Sequence, residues 1–167
     1  MSQSALLRTI ASEFSLLLMK GDAASAHTTA VAWSHEEVLV RIVRGHKMRT
    51  LDGLYDEFAA AFQFPLYFGE NEDAFEECLT DLSWLHSGAG YVIMVTSPNE
   101  VLADAPAELA WMVSALRWAW DEWRKNRRTG ESWDRGPVPF HVILYTSDDP
   151  ELIVRWISAG ATVADFG

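Results

Sequence analysis

Glu72, Asp73, Glu76 and Glu77 stand at helical spacing in residues 71–85, so that Glu72/Glu76 and Asp73/Glu77 are i, i+4 neighbours. Like charges so placed cost a helix on the order of a few tenths of a kcal/mol per pair. Three chemistries accommodate four close carboxylates: a solvated face that tolerates the repulsion, a cationic partner that relieves it, or a divalent metal or general acid/base pair. A metal site asks for a neighbouring His or a second acidic cluster, and the sequence places neither beside this helix. His27, His35, His46, His86 and His141 are isolated, without an HExxH pair, and no P-loop, GxGxxG or GxSxG motif occurs. Residues 86–90 read as a turn, and Cys78, on the apolar side of the acidic helix, reads as a buried thiol. Trp111, Trp118, Trp120 and Trp123 fall among Leu, Met and Val at helical spacing, the pattern of a core rather than of a base-stacking platform. No catalytic residue, cofactor or metal ligand is therefore expected.

The charge balance of the chain sharpens the first observation. Its 167 residues carry 13 Lys and Arg against 24 Asp and Glu, a formal net charge of −11. Residues 51–110 hold twelve of the acids (Asp52, Asp56, Glu57, Glu70, Glu72, Asp73, Glu76, Glu77, Asp81, Glu100, Asp104 and Glu108) and no Lys or Arg, while the flanking thirds are nearly balanced. A single-sign surface repels itself and steers partners of opposite charge, so this block reads as a functional acidic face. It disfavours nucleic acid, whose phosphates reward basic patches. No apolar run approaches the ~20 residues of a membrane span. The six-residue run 14–19 lacks the basic leader of a signal peptide, and one Cys excludes an internal disulfide, so a monomer in a reducing cytoplasm is expected.

Several elements must position that face. Residues 38–43 alternate as a strand that stops at Gly45. Asp52 reads as the N-cap of a helix carrying Leu54, Tyr55, Phe58 and Phe62 inward until Pro65. Residues 66–69 form a short aromatic loop whose Gly69 permits a tight backbone. In residues 71–85, Ala74, Phe75, Cys78, Leu79, Leu82 and Leu85 form the buried stripe. Residues 91–95 and 138–145 read as buried strands, joined by a helix from Asp104 to about Lys125 and a polar loop at 129–139. Residues 151–159 read as a short helix and 162–166 as a small strand. The core order β-α-α-β-α-β implies parallel crossovers, hence an α/β fold with a three-stranded parallel sheet covered by helices. Residues 1–35 lie outside that unit: 6–18 fit an amphipathic helix, 14–19 equally a strand, and 21–29 a loop or linker.

The stretch 64–84 resembles the signature of the barstar family, inhibitors of secreted ribonucleases. The shared pattern is Pro65, Tyr67-Phe68, Gly69, Asn71, Asp73-Ala74, Glu77 and Cys78-Leu79 in one fixed spacing. The likeness covers about residues 36–147, leaving 1–35 as an N-terminal and 148–167 as a C-terminal extension; the 129–139 loop has no counterpart in the pattern. It implies a barstar-like fold in which the aromatic-Gly loop and the acidic helix plug the active site of a basic ribonuclease, carboxylates standing in for RNA phosphates. Electrostatic steering of that kind has the family's own inhibitor–nuclease pair as its reference case. Carried over by position, Tyr67, Phe68, Gly69 and Asn71 form the loop, and Asp73, Glu76, Glu77 and Thr80 the contacting helix face with Glu72 beside it; Glu77 is the central anchor. The sequence departs from the pattern in having Glu77 for an Asp, Glu76 for a Trp and Phe68 for a second Tyr, changes able to retarget the inhibitor. The expected function is thus an inhibitor or immunity protein acting on a cationic ribonuclease or ribonuclease toxin. The alternative is a non-inhibitory interaction module of the same fold that binds a basic non-nuclease partner.

Overall fold

In the computed structural model, which describes residues 2–85, 88–132 and 134–166, the described residues form six α-helices and five strands. They run α1 (Gln3–Leu7), β1 (Leu16–Lys20), α2 (Ala23–Ser34), β2 (Val38–Arg44), α3 (Leu51–Phe62), α4 (Glu72–Asp81), β3 (Gly90–Thr96), α5 (Leu109–Trp123), β4 (Phe140–Thr146), α6 (Pro150–Ser158) and β5 (Val163–Asp165). The strands make one parallel sheet in the order β2-β3-β4-β1-β5. The α/β class and the parallel sheet are as expected, but the sheet has five strands, not three. The two additions come from the flanking stretches: Leu16 aligns with Val142 of β4 on one side and with Val163 of β5 on the other. A five-residue strand whose partners lie more than a hundred residues away leaves little local trace, and that is why 14–19 fitted helix and strand alike.

Helix α2 replaces the loop expected over 21–29. Asp22 caps it by accepting from the Ser25 backbone N–H (2.8 Å), and the Ser25 hydroxyl accepts from the Asp22 N–H (3.0 Å), a capping box. Its inward stripe is only Ala26, Ala30 and Trp33, too small to register as amphipathic periodicity. It covers one face of the sheet, where Trp33 packs with Val38, Val92, Met94, Ile143, Tyr145 and Phe166. The other face is buried by α3, α4, α5 and α6 through Phe58, Phe62, Phe75, Leu79, Met112, Leu116 and Trp156. Covered on both sides, β3 is buried along its whole length, as a central parallel strand must be.

Several boundaries move. Helix α3 starts two residues earlier than an Asp52 cap requires, because the Thr50 hydroxyl accepts from the Gly53 N–H (3.1 Å). It ends in a left-handed Gln63 (φ 52°) just before Pro65. Helix α4 stops at Asp81 rather than running to 85, since Leu82 turns left-handed (φ 44°). Asp104 opens no helix: its carboxylate takes the Arg49 guanidinium at 2.7 and 3.0 Å, and α5 begins after a 3-10 turn at Pro106–Glu108. Of the turn expected at 86–90, His86 and Ser87 lie outside the described residues. No helix among the described residues is long and apolar enough to cross a membrane.

Candidate functional site

The loop between α3 and α4 is held from below by its own aromatics. Phe64 is buried, and Phe68 packs edge-on against Phe64 (5.0 Å between ring centroids) and Tyr55 (5.9 Å). With 64 and 68 anchored, the residues between them are forced outward: Leu66 is fully exposed and Tyr67 is 73% exposed. The left-handed residue of the loop is Glu70 (φ 49°), not Gly69. Gly69 matters instead by proximity, because a Cβ there would sit 3.0 Å from the Asn71 amide nitrogen. That amide does two jobs. Its oxygen accepts from the Ala74 N–H (2.9 Å), capping α4, and its nitrogen donates to the Gly69 carbonyl (3.1 Å), tying the loop to the helix.

Helix α4 turns Phe75, Cys78 and Leu79 into the core, and the Trp123 indole N–H donates to the Leu79 carbonyl (2.9 Å) to seat it on α5. Outward lie Glu72, Asp73 and Glu77, exposed, with Glu76, Thr80 and Asp81 half-buried. The Thr80 hydroxyl is engaged with the backbone carbonyls of Glu76 (2.9 Å) and Glu77 (3.1 Å). Glu72 sits at one edge: burial raises the Tyr55 phenol above its ordinary range, and the charges of Glu72, Glu108 and Asp52 add to this. At the other edge, desolvation and then the neighbouring Cys78, Asp81 and Glu77 raise the Tyr67 phenol. The Cys78 thiol is pushed up to about 11 by burial and then by Glu77 and Asp81, so it stays protonated near neutrality and is no nucleophile.

The fold sorts the twelve acids of residues 51–110 into two groups. Glu57 is paired with Arg44, and Glu100 and Asp104 with Arg49, all cations of the preceding third. The other nine make no ion pair among the described residues: Asp52, Asp56 and Glu108, and the run Glu70, Glu72, Asp73, Glu76, Glu77 and Asp81 on α4 and the turn before it. A negative surface therefore lies beside the exposed Leu66-Tyr67 tip, an apolar anchor flanked by charge. Among the described residues, no group of three or more His, Cys, Asp or Glu is arranged to hold a metal ion.

Thus Tyr67, Phe68, Gly69, Asn71, Glu72, Asp73, Glu76, Glu77 and Thr80 lie on one continuous loop and helix, with Phe68 turned inward as a support. Sequence reasoning missed Arg127. It lines a cleft of about 360 Å³ with Glu77, Thr80, Asp81 and Ser83 at the C-terminal end of α4. Its only local signal is its place in the basic run after α5.

A family model described as Barstar (barnase inhibitor) matches residues 38–144, nearly two thirds of the chain, from the first residue of β2 into β4. The chain belongs to the barstar family. Members of the barstar family are inhibitors, not enzymes, and membership points to a barnase-type ribonuclease as the kind of target. No curated protein matches the chain. The barstar match contains α3, α4 and the loop between them, and so the whole acidic surface; β1, α2, α6 and β5 lie outside it.

Proposed function

We propose that this barstar-family protein is a stoichiometric inhibitor, an immunity protein that binds and blocks the active site of a cationic ribonuclease or ribonuclease toxin in the cytoplasm of the producing cell. The observation that carries this reading is the outward face of α4, where Asp73, Glu76 and Glu77 stand without ion pairs among the described residues beside the exposed Leu66 and Tyr67. Carboxylates held in a row offer Lys, Arg and His the charge that an RNA backbone would. The protruding Tyr67 adds the aromatic contact area from which interface hot spots are built. The balance of favourable terms agrees: α4 keeps its like charges because Glu72 and Asp73 sit in its first turn, against the positive end of the helix dipole, and its inner face is fully packed.

The test is inhibition of a panel of basic microbial ribonucleases by the wild type and by Glu77→Lys, at low and physiological ionic strength. The expected result is one-to-one inhibition by the wild type, association that slows as salt is added, and affinity weakened about 100-fold or more by the reversal, the usual scale for losing a close interfacial charge pair. Unchanged inhibition by Glu77→Lys at low ionic strength would remove Glu77 as the anchor. A basic partner that lacks nuclease activity yet shows the same loss would assign this face to a non-inhibitory interaction module.

A further inference from the structure

After α5 the chain carries Arg124, Lys125, Arg127 and Arg128 within five residues, and the structure uses them differently. Arg124 and Lys125 are spent on the helix itself, bound to Asp121 (2.9 Å) and Glu122 (2.9 Å). Arg127 begins a hairpin: its N–H donates to the Arg135 carbonyl (2.8 Å), and the Arg135 N–H returns the bond (2.9 Å). Asp134 closes the tip by accepting from the Thr129 N–H and hydroxyl and from the Gly130 N–H, at 2.6–2.9 Å. Arg135 anchors the base. Its guanidinium lies 4.0 Å over the Trp123 ring and donates to the carbonyls of Glu122 (3.2 Å), Trp123 (3.3 Å) and Lys125 (3.1 Å) at the end of α5.

None of this engages the side chains of Arg127 and Arg128. Both are exposed, and neither has an ion-pair partner among the described residues. Arg127 lines the 360 Å³ cleft together with Glu77 and Asp81. A hairpin pinned at its base thus puts a cation in the same cleft as two carboxylates, with no ion pair between them. Whatever enters the cleft meets both signs, the cation carried on a backbone that the hairpin bonds have already ordered, so less backbone freedom is lost than on a mobile loop.

We propose that Arg127, held at the base of the hairpin by its bridge to Arg135, is the cationic half of the partner-binding surface: it takes a carboxylate of the partner while α4 takes its cations. The cleft then selects, among basic ribonucleases, those with an acidic residue bordering the cationic site, and rejects those that place a Lys or Arg there. This rests on the inhibitor reading above and adds a criterion of target choice to it.

The experiment compares Arg127→Glu with Arg128→Glu against a basic ribonuclease that the wild type inhibits, following both affinity and dissociation rate. Each variant makes the chain two charges more negative, but only Arg127 lines the cleft. Attraction by net charge alone tightens both. The cleft instead requires Arg127→Glu to weaken binding by about 10-fold, mainly through faster dissociation, with Arg128→Glu unchanged or tighter. Replacing the facing carboxylate of the nuclease by Lys then restores binding to Arg127→Glu. Matched thermal unfolding of the two variants checks that the hairpin is intact. If Arg127→Glu binds as well as the wild type or better, the proposal is overturned and the inhibitor reading stands. If the wild type inhibits none of the ribonucleases, the inhibitor reading fails and this inference falls with it.

Discussion

Glu57 and Glu77 are both acids of the same block, and their surroundings give them opposite employment. Glu57 is 7% exposed and accepts from the backbone N–H of Arg44 (2.9 Å) and from its Nε (2.7 Å) and Nη2 (2.9 Å). Burial pushes its carboxyl up, but the hydrogen bonds and charge of Arg44 outweigh this and hold it below the usual carboxylate range. A carboxyl depressed in the folded state contributes stability above its unfolded pKa and loses it as pH falls through the folded one. Replacing Glu57 by Gln is therefore expected to cost about 2 kcal/mol at neutral pH, the partner Arg44 being half exposed. Urea unfolding checks this: the gap between wild type and variant should narrow as pH falls below the ordinary carboxylate range and through the depressed folded value of Glu57. A gap that persists in acid would mean that packing, not charge, is what Glu57 contributes. Glu77, exposed and without an ion pair among the described residues, contributes no such contact within the chain, and its reversal should register in binding and not in folding.

At the scale of an element, α4 and its preceding loop act as one unit because Asn71 belongs to both. Removing its side chain deletes the N-cap and the bond to the Gly69 carbonyl together. Asn71→Ala is expected to lower stability by about 1 kcal/mol in urea unfolding. Asn71→Asp keeps the acceptor for the Ala74 N–H and loses only the donor to Gly69, so it should recover most of that stability. Equal losses in the two variants would place the energetic weight on the loop tie and not on the cap. The unit is then braced from both ends, since the Trp84 indole N–H donates to the Phe62 carbonyl (2.8 Å) and Trp123 holds Leu79. The acidic face is in this way presented on a rigid support despite its repulsion.

For the whole molecule, the decisive fact is that β1 sits inside the sheet, between β4 and β5. The span 36–147, which contains the barstar match, ends at a β4 edge that is unpaired without β1 and carries buried Val142, Ile143 and Leu144. A truncated chain of those residues also loses Leu7, Leu16, Trp156 and Phe166 from the two cores. An exposed apolar edge of that kind templates aggregation. The truncated chain is expected to lose cooperative unfolding or to associate, visible in near-ultraviolet circular dichroism and gel filtration; a monomeric, cooperatively folded 36–147 would show that the flanking strands are dispensable.

Strands β2, β3 and β4, helices α3, α4 and α5, the acidic face and the family likeness were all legible in the linear chain. Each is written in neighbouring residues: a period of two or of 3.6, a cap such as Asn71, a breaker such as Pro65. What tertiary structure alone decided is everything that depends on a distant partner. Residues 16–20 became a strand only because β4 and β5 offered their edges, and 23–34 a helix on a stripe too small to read. Glu57, Glu100 and Asp104 left the acidic face because Arg44 and Arg49 reach them across 13, 51 and 55 positions. Arg127 came to line one cleft with Glu77 because Arg135 pins the base of its hairpin to the end of α5. Backbone periodicity is a short-range steric property and survives in one dimension, whereas charge pairing and sheet order are contacts between remote residues and exist only once the chain has closed on itself.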